Sequence, residues 1–413
     1  MAFVRFLLVC LVTVSCTRAP LKDKAQALRL VENPPSLSDD IGRTEFIQAL
    51  ETHAGFLATL KPETQMRFGK RVLSANEYAR ALQSLVQLSH QTPDDSQFFK
   101  DVRESFDFYE MYGGNRWGEV LLTSYFEPEI PGDYKKTSEL SEALLRRPND
   151  LIEILGGKYD ERLADAGSLR GRLVRDTDRK RDTLMPYHTR AEIEAGALRL
   201  RHLELCWVNP VDAFFMQIQG SGTIVLPGNQ RMRLGYSDQN GHLYHSIGKF
   251  LTHVIPLEKM SLFTIETYLK SIPTEQAAEI MNRNPSFVFF EKIDGAPKTS
   301  LGNSVFPGRT IATDSRYFPK GALAFLQFKK PVFESEADLE PKSTAPNSRF
   351  VFDQDTGGAI RGGGRVDLFW GSGAEAKRYA GFVKDPARVY YLVPKPETLQ
   401  KPLEDQLVPA APN

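Results

Sequence analysis

Two carboxylates near the end of the sequence, Asp355 and Asp367, bracket a segment with five glycines, Gly357, Gly358, Gly362, Gly363 and Gly364. Glycine lets a backbone take positive φ and come close to another surface. Val366, Phe369 and Trp370 are strand formers beside the second carboxylate. Asp367 is therefore expected on or next to a strand, with its side chain aimed at a defined place. An acid followed by Leu-Phe-Trp loses part of its hydration, and desolvation raises a carboxyl pKa. A carboxyl that keeps its proton near neutral pH suits the cleavage of glycosidic bonds.

Local sequence leaves other readings open. An Asp beside glycines is commonly a turn or capping residue. Asp355-Thr356-Gly357 also has the triplet of aspartic proteases, whose chemistry needs two carboxylates sharing one proton. A second such triplet is absent, because Asp314-Ser315 is followed by Arg316, so a homodimer would have to supply the partner. His188 and His245 read as structural, and no metal-ligand spacing or cofactor motif appears.

The chain has 413 residues, enough for two domains with sizeable cores. Its 52 basic and 52 acidic residues are interspersed and cancel, so no basic field for nucleic acid is present. The first residues read as an export signal. Arg5 supplies a positive charge, and Phe6 to Val14 is an apolar run too short to span a bilayer. The run ends at Thr13-Val14-Ser15-Cys16, which resembles a bacterial lipobox with Thr13 where Leu is usual. Cys16 is the expected lipidation site, and residues 1–16 the signal; an ordinary signal peptide with an incidental Cys is the alternative. With Cys10 removed and Cys16 acylated, Cys206 has no disulfide partner. Thr17 after the Cys points to sorting to the outer membrane.

The elements that must position the carboxylates follow in order. Residues 17–40 read as a flexible, polar tether. Glu45 to Leu60 has a helical stripe of Phe46, Leu50, Phe56 and Leu57. Ser74 to Glu77 is a capping box that opens a second helix, and Phe98 to Tyr109 suggests a third. Strand-like runs cover Glu119 to Phe126, Leu205 to Val208, Ala213 to Gln219, Gly222 to Leu226, Gln230 to Tyr236, Ser286 to Glu291, Thr310 to Thr313, Ala322 to Phe328, Arg349 to Asp353 and Arg388 to Leu392. Gly, Pro and Asn separate many of them, as in a β-barrel. Asn149 to Leu155, His245 to Leu257 and Ser261 to Ser271 are expected to be helical, and Pro186 to Ile193 leads into another helix. Ser372 and Glu375 suggest another capping box, with Gly381 as the stop. Lys395 onward reads as a disordered, Pro-rich tail.

With these segments in place, the chain from about Leu121 to Val393 resembles the membrane-bound lytic murein transglycosylases of the A type, whose C-terminal module is the 3D domain of three aspartates. Thr123-Ser-Tyr-Phe-Glu-Pro-Glu129 resembles the family's Gly-Tyr-Tyr-Glu-Pro segment, with Ser124 and Phe126 as departures. Pro186-Tyr-His-Thr-Arg-Ala-Glu-Ile193 follows Pro-Tyr-x-Thr-Arg-x-x-Ile. Val211-Asp-Ala-Phe-Phe-Met-Gln-Ile-Gln-Gly-Ser-Gly222 is close to the consensus, and Arg233-Leu-Gly-Tyr-Ser, Tyr244-His-Ser-Ile-Gly248 and Asn284-Pro-Ser-Phe-Val-Phe-Phe290 also fit. The three aspartates fall on Asp314, Asp355 and Asp367, and the glycines at 362–364 make a looser loop than usual.

The resemblance implies a mainly β fold with N-terminal helices. A double-psi β-barrel would comprise residues 41–125 and 285–396, with a smaller β-domain inserted at 126–284, a groove between them and a tail at 397–413. It implies glycan strands of peptidoglycan as substrate, no cofactor, no nucleic acid and a monomer. The implied location is the periplasmic side of the outer membrane of a Gram-negative bacterium, with a wall-synthesis complex as possible company. Asp367 would be the single catalytic acid and base, with Asp355 and Asp314 as supporting carboxylates. Tyr125, Gln217, Gln219, Gly220, Ser221, Gly357, Gly358 and Trp370 would meet the sugars, Trp370 by stacking or else as core. Two alternatives remain. One is an inverting hydrolase in which Asp355 or Asp314 activates water, with carboxylates about 6.5–9.5 Å apart. The other is a wall-binding lipoprotein without activity.

Overall fold

The computed structural model describes residues 23–400 apart from 93, 114–115, 167, 179, 296–297, 337, 339 and 358–359. Cys16 and Gly358 lie outside the described residues. Six strands close a barrel. Ala322–Val332 pairs antiparallel with both Ser343–Asp355 and Lys384–Pro394. Ser343–Asp355 runs parallel to Thr310–Ala312, which pairs antiparallel with Arg365–Ser372. Arg365–Ser372 runs parallel to Val120–Glu127, and that strand returns to Lys384–Pro394 and closes the ring. Closure leaves no free edge among these strands.

The barrel strands are apolar on both faces because each face is covered. Phe350, Val351 and Phe352 in succession are fully buried. Helices Arg43–Leu57 and Ala75–Gln91 lay Phe46, Leu50, Tyr78, Leu82 and Leu85 into the same core. Phe46 stacks on Phe350 with ring centroids 4.5 Å apart. Burying such a side chain contributes roughly 1.5–3 kcal/mol. The capping box at Ser74 and Glu77 forms as the sequence suggests. Tyr78 of that helix donates its hydroxyl to the Leu392 carbonyl and accepts from the Leu323 amide, at 2.8 and 2.9 Å. One phenol thus ties the helix to two barrel strands.

A second sheet of six strands runs in the order Val288–Lys292, Gln230–Gln239, Gly222–Leu226, Glu129–Asp133, Glu204–Val208, Glu142–Leu145. A bridge between Arg146 and Phe290 brings its two edges together, so it is nearly a barrel. It has a core of its own around Leu144, Val208, Met216, Ile224, Leu234 and Phe290.

Several expectations are corrected. Pro210–Gln219 is an α-helix, not a strand: Asn209 caps it, Pro210 opens it and Gly220 ends it in the left-handed conformation, at φ 87°. Pro at the first position and Gly just past the end are helix punctuation; the apolar run had hidden them. Ile152–Leu155 is a strand, because it completes a three-stranded sheet with Ser168–Asp176 and Arg181–Pro186. The third helix stops at Ser105, and Phe106 and Tyr109 belong to strand Phe106–Met111 beside Lys384–Pro394. The stretch from His245 to Leu257 holds the short 3₁₀ turns Ile247–Phe250 and Leu257–Lys259 instead of a helix. Helix Gly373–Ala380 lacks the expected capping box, because the Ser372 hydroxyl instead donates to Glu127 at 2.6 Å.

Residues 23–40 are no tether. Leu28–Leu30 adds a strand to Phe106–Met111, and the fully buried Arg309 and Arg349 grip Asp39 and Asp40 at 2.6–2.9 Å. Pro396–Gln400, read as the start of the tail, is a short helix whose Thr398 donates to the Ser105 carbonyl at 2.8 Å.

Candidate active site

Three neighbouring strands bring the acids together. Ala312 pairs with Asp355 on one side and with Asp367 on the other. Adjacent strands lie about 4.8 Å apart, so the two backbones are separated by one intervening strand. Across the parallel pairing on the far side, Thr123 lies opposite Asp367 and Tyr125 opposite Phe369. Thr123 and Tyr125 share a face by the two-residue period of a strand.

Asp367 is half-buried and accepts a hydrogen bond from the Thr123 hydroxyl at 2.7 Å. Its pKa is pushed up to about 6. Loss of hydration is the main cause; the Asp355 charge adds to it, while Thr123 and Arg365 oppose it. Asp355 is held by three donors: the Tyr125 hydroxyl at 2.7 Å, the Ser300 amide at 3.0 Å and its neighbour Thr356's amide at 2.9 Å. Burial and the charge of Asp355, then those of Asp367 and Asp353, hold the Tyr125 phenol well above its ordinary range. Tyr125 is therefore a neutral donor between two acids.

Asp314 is buried and does something different. Arg316 clasps it through Nε and Nη2, with Nη2 at 2.6 Å, and the Arg316 and Gly362 amides donate to it at 3.1 and 2.8 Å. Burial pushes its pKa up, but these donors outweigh burial and the pKa ends below the usual carboxylate value. Gly362 needs its glycine, with φ at 82°. Asp314 thus fastens the glycine loop that leads into the Asp367 strand.

Among the other residues singled out from sequence, Gln219 accepts from the Phe126 amide at 3.0 Å, which places it beside Tyr125. Gln217 is buried, its Oε1 held by Arg190 at 2.6 Å, and its Nε2 has no hydrogen-bond partner among the described residues. Gly220 and Ser221 follow at the helix end, both half-buried. Gly357 closes a tight turn over the buried Ile360, and a Cβ there would meet Ile360 Cγ1 at 2.9 Å. Trp370 points the other way. It lies on the opposite strand face from Asp367, stacked on Tyr379 at 4.9 Å with Arg349 over its ring at 5.3 Å.

Sequence reasoning missed Thr123, although it opens a quoted motif; its alternation with Tyr125 was the available signal. It also missed the charged network beneath the site. Lys320 donates to Asp353, to the Thr313 hydroxyl and carbonyl and to the Asp355 carbonyl at 2.7–2.9 Å, while Tyr391 and Thr313 donate to Asp353 at 2.6 Å. No cluster of metal-ligating side chains occurs among the described residues, and no described helix is long and apolar enough to cross a membrane.

The closed barrel, next to a second β-unit, holds Asp367, its pKa pushed up to about 6, close to Asp355 and Tyr125, an arrangement chemically suited to moving a proton. The comparisons give it a family. Residues 121–291 match the MltA specific insert domain and residues 309–393 the 3D domain. The chain is 30% identical over 288 residues to membrane-bound lytic murein transglycosylase A of Vibrio cholerae, covering 68% of each chain. It is 28% identical over 294 residues to the protein of the same name from Escherichia coli K12, covering 70% of each. This chain belongs to the membrane-bound lytic murein transglycosylase A family. The crystal structure of a membrane-bound lytic murein transglycosylase from Agrobacterium tumefaciens superposes with a TM-score of 0.67 at 25% identity, over 86% of this chain and 93% of that one. E. coli MltA with bound chitohexaose shares the fold at a TM-score of 0.67 and 23% identity, over 90% and 96% of the two chains.

Proposed function

We propose that this chain, which as a family member acts on peptidoglycan, cuts the β-1,4 bond between N-acetylmuramic acid and N-acetylglucosamine with Asp367 as its single acid and base. The observation that carries this reading is the setting of Asp367: steadied by the Thr123 hydroxyl at 2.7 Å beside Asp355 and Tyr125, with desolvation pushing its pKa up to about 6. The Thr123 hydroxyl engages one carboxyl oxygen, and the other gives its proton to the glycosidic oxygen as the bond to C1 breaks. The 6-hydroxyl of the same muramic ring then attacks C1 and yields its proton to Asp367. No water is consumed, and the product ends in a 1,6-anhydro ring. Intramolecular attack of this kind can gain roughly 7–11 kcal/mol from proximity. Asp355, fixed by Tyr125 and Ser300, supports Asp367 with a negative charge. Asp314 shapes the loop, Gln219, Gly220, Ser221 and Gly357 meet the glycan, and Gln217, buried against Arg190, supports them from beneath.

The barrel unit we assign is 41–125 with 285–396, extended by the strand Leu28–Leu30 and the Asp39 and Asp40 ion pairs, around an inserted unit at 126–284 to which the strand Val288–Lys292 adds its pairing. The glycan lies in a groove between them. As murein is digested and its turbidity falls, borohydride-reducible ends should stay constant; a parallel rise would point to hydrolysis.

We also propose that Cys16 is acylated and anchors a monomer to the outer membrane. Labelled palmitate should enter the wild-type chain and be absent from Cys16→Ala; equal label in both refutes the anchor. A single acyl chain binds membranes only marginally, so several chains on Cys16 are expected.

A further inference from the structure

Strand Ser343–Asp355 breaks register next to the site. Ile311 faces Asp353, but the next residue, Ala312, faces Asp355, which leaves Gln354 as the extra residue of a β-bulge. In an unbroken strand Asp353 and Asp355 would share a face. The bulge turns Asp355 out of phase with Asp353, which is completely buried and is held by Lys320 and Tyr391. Asp355 thereby reaches Tyr125.

The bulge residue is pegged from outside the barrel. Gln354 is fully buried, and its Oε1 accepts from Thr310 at 2.7 Å. Its Nε2 donates to Nδ1 of His53 at 2.8 Å. His53 sits on helix Arg43–Leu57, fully buried against Phe352, and its Nε2 lies 2.8 Å from the Gly321 carbonyl. One ring nitrogen accepts and the other donates, so the ring is neutral, in keeping with a pKa that burial lowers to about 4. Asn303 Nδ2 also approaches Nδ1 at 3.5 Å, and Asn303 in turn accepts from Thr299 at 2.5 Å. Thr299 precedes Ser300, whose amide holds the Asp355 carboxylate. Apolar packing alone has no use for this ring, since a buried polar network costs stability unless it is complete.

We infer that His53 is a positioning residue, the peg that holds the Gln354 bulge and so keeps the Asp355 carboxylate at Tyr125 and close to Asp367. The inference rests on the reading of Asp367 as the acid and Asp355 as its charged neighbour. Asp367 is faced by Thr123 and Tyr125 from one strand, by Arg365 from its own strand and by Asp355 from beyond Ala312. The Asp355 charge raises the Asp367 pKa, so loosening Asp355 should lower it. The general acid then loses its proton earlier, and the basic limb of the pH profile moves down.

The test compares His53→Phe, His53→Gln and Gln354→Met with the wild type. It measures kcat, KM and the pH profile of murein solubilisation, per folded molecule as judged by circular dichroism. His53→Phe keeps the volume of the ring and removes both hydrogen bonds; kcat should fall roughly 10- to 100-fold with little change in KM, as a small misplacement would cause. The basic limb should shift to lower pH. His53→Gln has an amide that can make both contacts and should recover most of kcat and the limb. Gln354→Met cuts the link from the other side and should match His53→Phe, so the test stands even if one variant fails to fold. Wild-type kcat and an unmoved basic limb in a folded His53→Phe or Gln354→Met would overturn the inference. So would a His53→Gln that regains stability without regaining kcat. Full activity in Asp367→Asn would instead refute the acid assignment beneath it, so the two failures are distinguishable.

Discussion

Asp367→Asn is expected to lower murein solubilisation by about 10³-fold or more and, near neutral pH, to make the folded protein more stable. The first effect follows from losing the proposed general acid, since such groups typically contribute 10²–10⁴-fold. The second follows from linkage. The carboxyl has a folded pKa of about 6, against an ordinary 3.8, so its charged form is disfavoured by folding. The penalty is absent below the unfolded pKa, grows between about pH 4 and 6, and is complete above that. Asparagine removes it, so the variant should gain about 1–3 kcal/mol near neutral pH, allowing for the partial exposure of the residue. The gain should vanish near pH 4. Denaturant midpoints at both pH values, with activity at each, check the pair of effects. A variant that is inactive but equally stable at both pH values would mean that Asp367 is ordinarily ionised in the fold.

Arg309→Met is expected to destabilise the protein by about 3–5 kcal/mol, the usual result of stripping one partner from a buried ion pair. Arg309 and the Asp39 carboxyl are each 2% exposed and meet at 2.7 and 2.9 Å. Arg309 also donates to the Gly42 and Phe350 carbonyls, at 2.8 and 3.1 Å. Without it Asp39 keeps a buried, unpaired charge. Adding Asp39→Asn should recover part of the loss, because it removes the buried charge and the amide oxygen can still accept from the Ile41 and Gly42 amides that now reach Oδ1, although the Phe350 amide on Oδ2 loses its acceptor. Urea unfolding of the single and double variants gives the comparison. A loss below about 1 kcal/mol would return residues 23–40 to the tether suggested by their composition.

The contrast between these two sites shows what the sequence made legible. Asp367 could be read because its signals are local: an acid beside strand formers, after a run of glycines. The three aspartates, Tyr125 and the Gln-x-Gln-Gly-Ser-Gly segment were found through motifs, and the fold followed from the same motifs. Asp39 and Asp40 could not be read, because their partners Arg309 and Arg349 lie about three hundred residues away and meet them only when the barrel closes. The Pro210–Gln219 helix was obscured for another reason. Ala-Phe-Phe-Met has the apolar density of a strand, and burial against two neighbouring elements leaves no clean polar face. Trp370 beside an acid suggested either a sugar platform or a core residue, and strand alternation sends it to the second, against Tyr379 and Arg349. The bulge at Gln354, which re-aims Asp355, leaves no mark in composition or spacing. It exists only as a register between strands.

In the proposed reaction the muramic 6-hydroxyl, and not water, closes at C1, with Asp367 as the only acid and base. Digestion of purified murein in ¹⁸O-water, followed by mass measurement of the released muropeptides, tests it most directly. The products are expected to be free of ¹⁸O at C1 and lighter by one water than the hydrolytic muropeptides. Products carrying ¹⁸O at C1 would contradict it, and would assign to Asp355 or Asp314 the activation of water.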